Sequence, residues 1–118
     1  MKQLTIIFRS SPAYNCKGRE ALDLAMLSAS FDQHVKLIFL DEGVFNLLKG
    51  QSPELLGGKD YLSTLKALPL YDIDDVYVCE HSLSVNLLEK NELFIDCILV
   101  TQQRIRTLIN EADEVLIF

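Results

Sequence analysis

The chain has no tryptophan, and only three prolines, three cysteines and five glycines in 118 residues. Cys16, Cys79 and Cys97 are odd in number and far apart, with no C-x-x-C. That spacing supports neither a thioredoxin-like redox pair nor a zinc ribbon. The glycines form neither a P-loop nor G-x-G-x-x-G, which removes the usual signs of a nucleotide site. Cations are scarce: 11 Lys and Arg stand against 17 Asp and Glu, a net charge of -6. Proteins that grip nucleic-acid phosphates carry basic surfaces, so no direct nucleic-acid contact is expected. No apolar run is long enough to span a bilayer, and the one at residues 4–8 is too short for a signal peptide. The expectation is a cytoplasmic, thiol-reducing setting away from membranes, with no metal and no cofactor.

What is present is ordinary globular composition, 49% hydrophobic and 24% charged. Short apolar runs at residues 4–8, 35–40, 76–79, 93–100 and 114–118 read as strands. Between them, helical spacing is expected at 19–30, 60–68, 82–88 and 102–110, with shorter helical pieces at 44–48 and 53–56. Thr101 reads as an N-cap, and Pro69 bars continuation of the helix before it. Strand alternating with helix predicts an α/β domain, three-layer α/β/α, with a five-stranded, mainly parallel sheet. Length predicts one domain over residues 1–118. The segment 43–70 is more elaborate than a crossover requires.

Cys79 ends the run Val76-Tyr77-Val78 where a strand hands over to a helix. In parallel α/β sheets chemistry collects at that edge, and a helix N-terminus favours a thiolate. A buried packing residue is the plain alternative. Cys79-Glu80-His81 offers at most two metal ligands, and adjacent positions seldom give catalytic geometry. Ser10, Ser11, Lys17 and Arg19 could hold an anion, or simply line a solvated loop with Cys16. Asp41, Glu42 and Asp60 are carboxylates at a strand exit and a helix start. Tyr61, Tyr71 and Tyr77 add amphipathic surface. The run Val44-Phe45-Asn46-Leu47-Leu48 is either core or a protein interface.

Several blocks together resemble one family. Gly18-Arg19-Glu20, Asp41-Glu42-Gly43-Val44-Phe45-Asn46-Leu47-Leu48-Lys49-Gly50-Gln51, Asp60-Tyr61 and Leu70-Tyr71-Asp72-Ile73 through Val78-Cys79 are similar to the DsrE/F/H family of small sulfur-transfer proteins, in its TusC/DsrF branch. The resemblance spans essentially the whole chain. It implies a subunit of a cytoplasmic sulfur relay, passing persulfide sulfur toward 2-thiolation of wobble uridine in tRNA. Implied partners are TusB-like and TusD-like chains in a heterohexamer, a dimer of trimers, and a downstream sulfur acceptor reached through the TusD-like subunit. Cys79 matches the position of the TusD-like persulfide cysteine. Glu80 and His81 follow it here, where that sister subunit has small residues, and a neighbouring carboxylate opposes thiolate formation. The expectation is a mainly structural subunit, with Val44, Phe45, Leu47 and Leu48 at an interface. Alternatives are a direct sulfurtransferase with Cys79 as persulfide carrier, a DsrF-like role in sulfur oxidation, and a flavodoxin-like module that binds a small anion.

Overall fold

A computed structural model describes residues 2–12, 17–50 and 59–118, leaving aside the side chains of Lys59 and Asp60. The expected helical piece at 53–56 and Cys16 lie outside the described residues. Five strands, β1 (Gln3–Phe8), β2 (His34–Phe39), β3 (Asp75–Cys79), β4 (Ile98–Val100) and β5 (Glu114–Ile117), form one sheet in the order β4-β3-β2-β1-β5. All four pairings are parallel, so the sheet is wholly rather than mainly parallel. The helices are α1 (Lys17–Ser30), α2 (Lys59–Lys66), α3 (Glu80–Val85) and α4 (Gln102–Glu111).

Strand alternation sends side chains to two unequal faces. Leu4, Ile6, Phe8, Leu37, Phe39 and Val78 pack toward α1 and its neighbours in the larger core. Phe8 and Phe39 stack there with ring centroids 4.4 Å apart. Each such fully buried side chain contributes about 2–3 kcal/mol by removal from water. Ile7, Ile38, Tyr77, Cys79 and Val100 face the other way, against Ile105 and Leu108 of α4. The order of the sheet explains the imbalance. The first three crossovers step from β1 outward to β4. The last, α4, must return across the opposite face to place β5 beside β1.

Element boundaries follow local chemistry. Thr101 Oγ1 accepts from the Arg104 amide, 3.1 Å, and starts α4 as expected. Helix α2 stops at Lys66, and Pro69 sits in the first turn of a separate 3-10 helix, Leu68–Tyr71. The expected short helix at 44–48 is instead a 3-10 helix, Asp41–Leu47. Its Gly43 lies so close to β1 that a Cβ there would meet the Phe8 carbonyl oxygen at 1.8 Å. α3 begins immediately after β3, earlier than expected, and ends before Leu87, which takes a left-handed φ of 58°.

The strand expected at 93–100 requires correction. Only Ile98–Val100 is strand; Lys90–Glu92 is 3-10 helix and Leu93 forms an isolated antiparallel bridge with Leu48. The backbone bonds of this stretch are spent elsewhere. Lys49 N–H donates to the Glu92 carbonyl at 2.7 Å, and Phe94 N–H donates to the Leu47 carbonyl at 3.0 Å. Cys97 therefore precedes β4 rather than belonging to it.

Candidate functional site at the carboxyl edge of the sheet

Cys79 is the last residue of β3 and the N-cap of α3, with extended backbone (φ -71°, ψ 117°). Its side chain does not cap the helix. It is 3% exposed and packs with Ile38, Tyr77, Val100, Ile105 and Leu108 beneath α4. Apolar strand residues on one side and the apolar stripe of α4 on the other produce this burial. Glu80 and His81 are exposed, so the Cys79-Glu80-His81 triplet does not converge on one point. Among the described residues, no group of three or more His, Cys, Asp or Glu side chains is placed to hold a metal ion.

Above the thiol lies a cavity of about 210 Å³ lined by Leu40, Asp41, Ser82, Gln102, Ile105 and Arg106 as well as Cys79. Its rim is built from three connections. Asp41 leaves β2 with a left-handed φ of 52°. Its amide donates to Ser82 Oγ at 2.8 Å, and its carbonyl accepts from Asn86 Nδ2 at 3.2 Å. Asn86 Nδ2 also donates to the Ser82 carbonyl at 2.8 Å. The exit of β2 is thus tied to α3. The Asp41 carboxylate accepts from Arg9 Nε at 2.9 Å, tying it to β1 as well. These bonds make Asp41 a structural junction at the strand exit.

The loop after β1 borders a second concavity of about 470 Å³, lined by Arg9, Ser10, Lys17, Asp41, Glu42, Ile117 and Phe118. Two cations and two carboxylates share it, so it is not the uniformly positive cradle an anion site requires. The two described cysteines, Cys79 and Cys97, are both free thiols. They lie in different cores, on opposite faces of the sheet. Burial pushes the Cys97 thiol pKa up, with Lys90 opposing that shift and Asp96 adding to it.

The sequence blocks 18–20, 41–51 and 60–61 meet at a buried node. Asn46 is 1% exposed and uses both ends of its amide. Nδ2 donates to the carbonyls of Gly43, 2.8 Å, and Ser10, 3.1 Å. Oδ1 accepts from the Tyr61 hydroxyl at 2.9 Å. Burial drives the Tyr61 phenol pKa far upward. Gly18 closes the node: a Cβ there would lie 2.7 Å from the Tyr61 hydroxyl oxygen and 3.0 Å from Asn46 Oδ1. No sequence motif singles out Asn46, Ser82 or Asn86. Asn46 carried a usable signal, because a polar residue inside an apolar run must find partners once buried.

Val44 and Leu47 are fully buried in the chain's own core, whereas Phe45 and Leu48 are half-buried. Of the four residues expected at an interface, Phe45 and Leu48 alone keep accessible surface. Tyr61 and Tyr77 are core, while Tyr71 is exposed. Asp60 lies outside the described side chains. No helix of the described residues is long and apolar enough to cross a membrane.

Comparison with known proteins places this geometry. The chain is 36% identical over 118 residues to a TusC homolog from Vibrio parahaemolyticus, covering all of both chains. It is 38% identical over 115 residues to one from Pseudomonas aeruginosa, covering 98% of this chain and 97% of that protein. Its fold is similar to the crystal structure of the ychN protein from E. coli, with a TM-score of 0.84 at 20% identity and full coverage of both chains. Residues 2–118 match the DsrE/DsrF-like family, from the first strand through the carboxyl-terminal one, and the chain belongs to that family.

Proposed function

We propose that the chain is a single-domain, mainly structural subunit of a cytoplasmic sulfur-relay complex that serves 2-thiolation of wobble uridine in tRNA. Its partners are TusB-like and TusD-like chains in a heterohexamer, a dimer of trimers. Sulfur leaves through the TusD-like subunit to a downstream acceptor, and the tRNA is handled by other components. Full-length similarity to TusC homologs supports the relay assignment. The observation that carries the structural role is the burial of Cys79 beneath α4. Sulfane-sulfur transfer needs a thiolate to attack the outer sulfur of a donor persulfide. One S–S bond forms, the donor's breaks, and the donor thiolate leaves. A thiol only 3% exposed and packed among Ile38, Val100 and Ile105 offers little surface to that attack. Phe45 and Leu48 supply subunit contact from the 3-10 segment.

A second reading makes Cys79 a working carrier. It is favoured by the cavity above the thiol, where Arg106 is the lining cation. Cys79→Ser separates the two. The variant should assemble, lose about 1 kcal/mol of stability at most, and retain most thiouridine formation when the TusD-like thiol is intact. The measurement is radiolabelled sulfur on each subunit together with tRNA thiouridine content. Label on this chain that vanishes with the thiol, alongside lost thiolation in an assembled complex, would overturn the structural role.

A further inference from the structure

The two faces of the sheet are covered by very different amounts of helix. α1, α2 and α3 all bury side chains in the larger core, Leu22, Leu65 and Leu83 among them. Among the described residues, α4 is the only helix that packs on the opposite face. It buries two side chains there, Ile105 and Leu108, and half-buries Ile109. The other seven of its ten residues are exposed. Its first turn does not close on the strands. The cavity of about 210 Å³ beside Cys79 has the exposed residues Gln102 and Arg106 in its wall. Polar ties to the strands are weak. Glu111 meets Lys36 of β2 at 3.6 Å, and Arg104 is hydrogen-bonded to Tyr77 of β3. With Glu111 half in water, that ion pair contributes little.

The chain on either side of α4 is fixed to the sheet. Thr101 follows directly on β4, where Ile98, Leu99 and Val100 are all paired with β3. At the other end, the Asp113 amide donates to the Gln3 carbonyl at 2.8 Å, and the Asp113 carboxylate accepts from the Gln3 amide at 2.7 Å. β5 then pairs with β1, and the Phe118 amide donates to the Ile7 carbonyl at 2.8 Å. A helix with two buried side chains, beside a cavity and between fixed ends, meets the physical conditions for opening separately from the rest of the fold. Cys79 lies beneath it on β3, a strand paired on both sides by β2 and β4. The sheet therefore holds the thiol in place, and α4 alone covers it.

We infer that α4 is a hinged cover. It opens locally between Thr101 and Asp113 while the five strands stay paired, and this opening, rather than global unfolding, sets the rate at which Cys79 meets an external reagent. Access to the thiol then requires the loss of one helix and its two buried side chains, not of the domain. The inference concerns access and not the part the thiol plays, so it stands or falls independently of the relay reading.

The test uses the full chain, from zero urea to the foot of its unfolding transition. Alkylation of Cys79 by iodoacetamide is read on its own peptide by mass spectrometry, at reagent concentrations where the rate rises linearly. Amide hydrogen exchange is read by NMR. Cys79 alkylation and the Leu108 and Ile109 amides should report the same opening, with a urea dependence that is a small fraction of that of the Leu37 and Ile38 amides in β2. Gln103 is exposed and lies outside the cavity wall. Gln103→Gly should therefore speed alkylation about fivefold relative to Gln103→Ala, because glycine weakens the helix without touching the thiol. Alkylation that follows the β2 amides in urea places access in global unfolding and overturns the inference. So do equal rates in the two position-103 variants, or a wild-type thiol that reacts as fast in the native chain as in the urea-unfolded one.

Discussion

The two ends of the sheet solve opposite problems. At the carboxyl end, the turns after β1, β2 and β3 are bound to one another. Arg9 reaches Asp41, Asp41 reaches Ser82 and Asn86, and Asn46 gathers Ser10, Gly43 and Tyr61. At the amino end, the turns after α1 and before β3 close on themselves and leave large apolar side chains in water. The first arrangement spends polar groups on internal order. The second leaves apolar area uncovered, as do Leu87 and Ile117 at the carboxyl end, and such area lowers the free energy of a complex only when a partner covers it. Residues of the carboxyl-end network should therefore govern folding, and the exposed apolar residues at the amino end should contribute little to it.

Gly43→Ala tests the carboxyl end most severely. The new Cβ would meet main-chain oxygen of Phe8, which no side-chain rotation relieves. A loss of roughly 3 kcal/mol or more, or failure to fold, is expected in urea denaturation. A variant of near wild-type stability would mean that the 3-10 segment does not press on β1.

Tyr61→Phe makes a smaller cut at the same end. It removes the hydroxyl that Asn46 Oδ1 accepts from, and the cost should be about 1–2 kcal/mol at neutral pH. The pH dependence has a definite sign. Burial raises the folded phenol above its unfolded value of about 10. Its contribution is complete below that value and is lost as pH rises above it. Urea midpoints between neutral and strongly alkaline pH should fall less steeply in the variant than in the wild type. Equal slopes would place the alkaline loss elsewhere, with Tyr77 and Cys97 the other described groups whose pKa burial raises.

The smallest expected effect lies at the amino end. Leu70→Ser alone should change the unfolding free energy of the isolated chain by no more than about 0.5 kcal/mol, because little of that side chain is removed from water on folding. A loss above 2 kcal/mol would show that Leu70 supports the core, and the contrast between the two ends would then fail.

The sequence by itself determined the order of elements. The near-continuous apolar runs at β1, β2 and β3, rich in β-branched and aromatic residues, read as strands covered on both faces, and helical spacing between them implied crossovers. The left end of α4 was legible from Thr101, whereas α2 ends at Lys66, two residues before the expected stop at Leu68, and Pro69 falls inside the next 3-10 helix. The blocks that resemble the DsrE/F/H family were legible too, though not their reason. Only the tertiary structure brings Gly18, Asn46 and Tyr61 to one hydrogen-bonded point.

Other features depended on long-range contacts that no local pattern encodes. Residues 93–97 have strand-like composition, yet Leu93 bridges Leu48 and the Phe94 N–H donates to the Leu47 carbonyl, away from the sheet. Val44 and Phe45 are neighbours with similar hydropathy, but a one-residue step, about a third of a 3-10 turn, buries the first and half-exposes the second. Cys79 could be assigned to a strand end from sequence. Its burial was decided by α4, which crosses that face because β5 has to reach the far side of β1. Apolar character is a property of a side chain, whereas its removal from water depends on which distant element covers it.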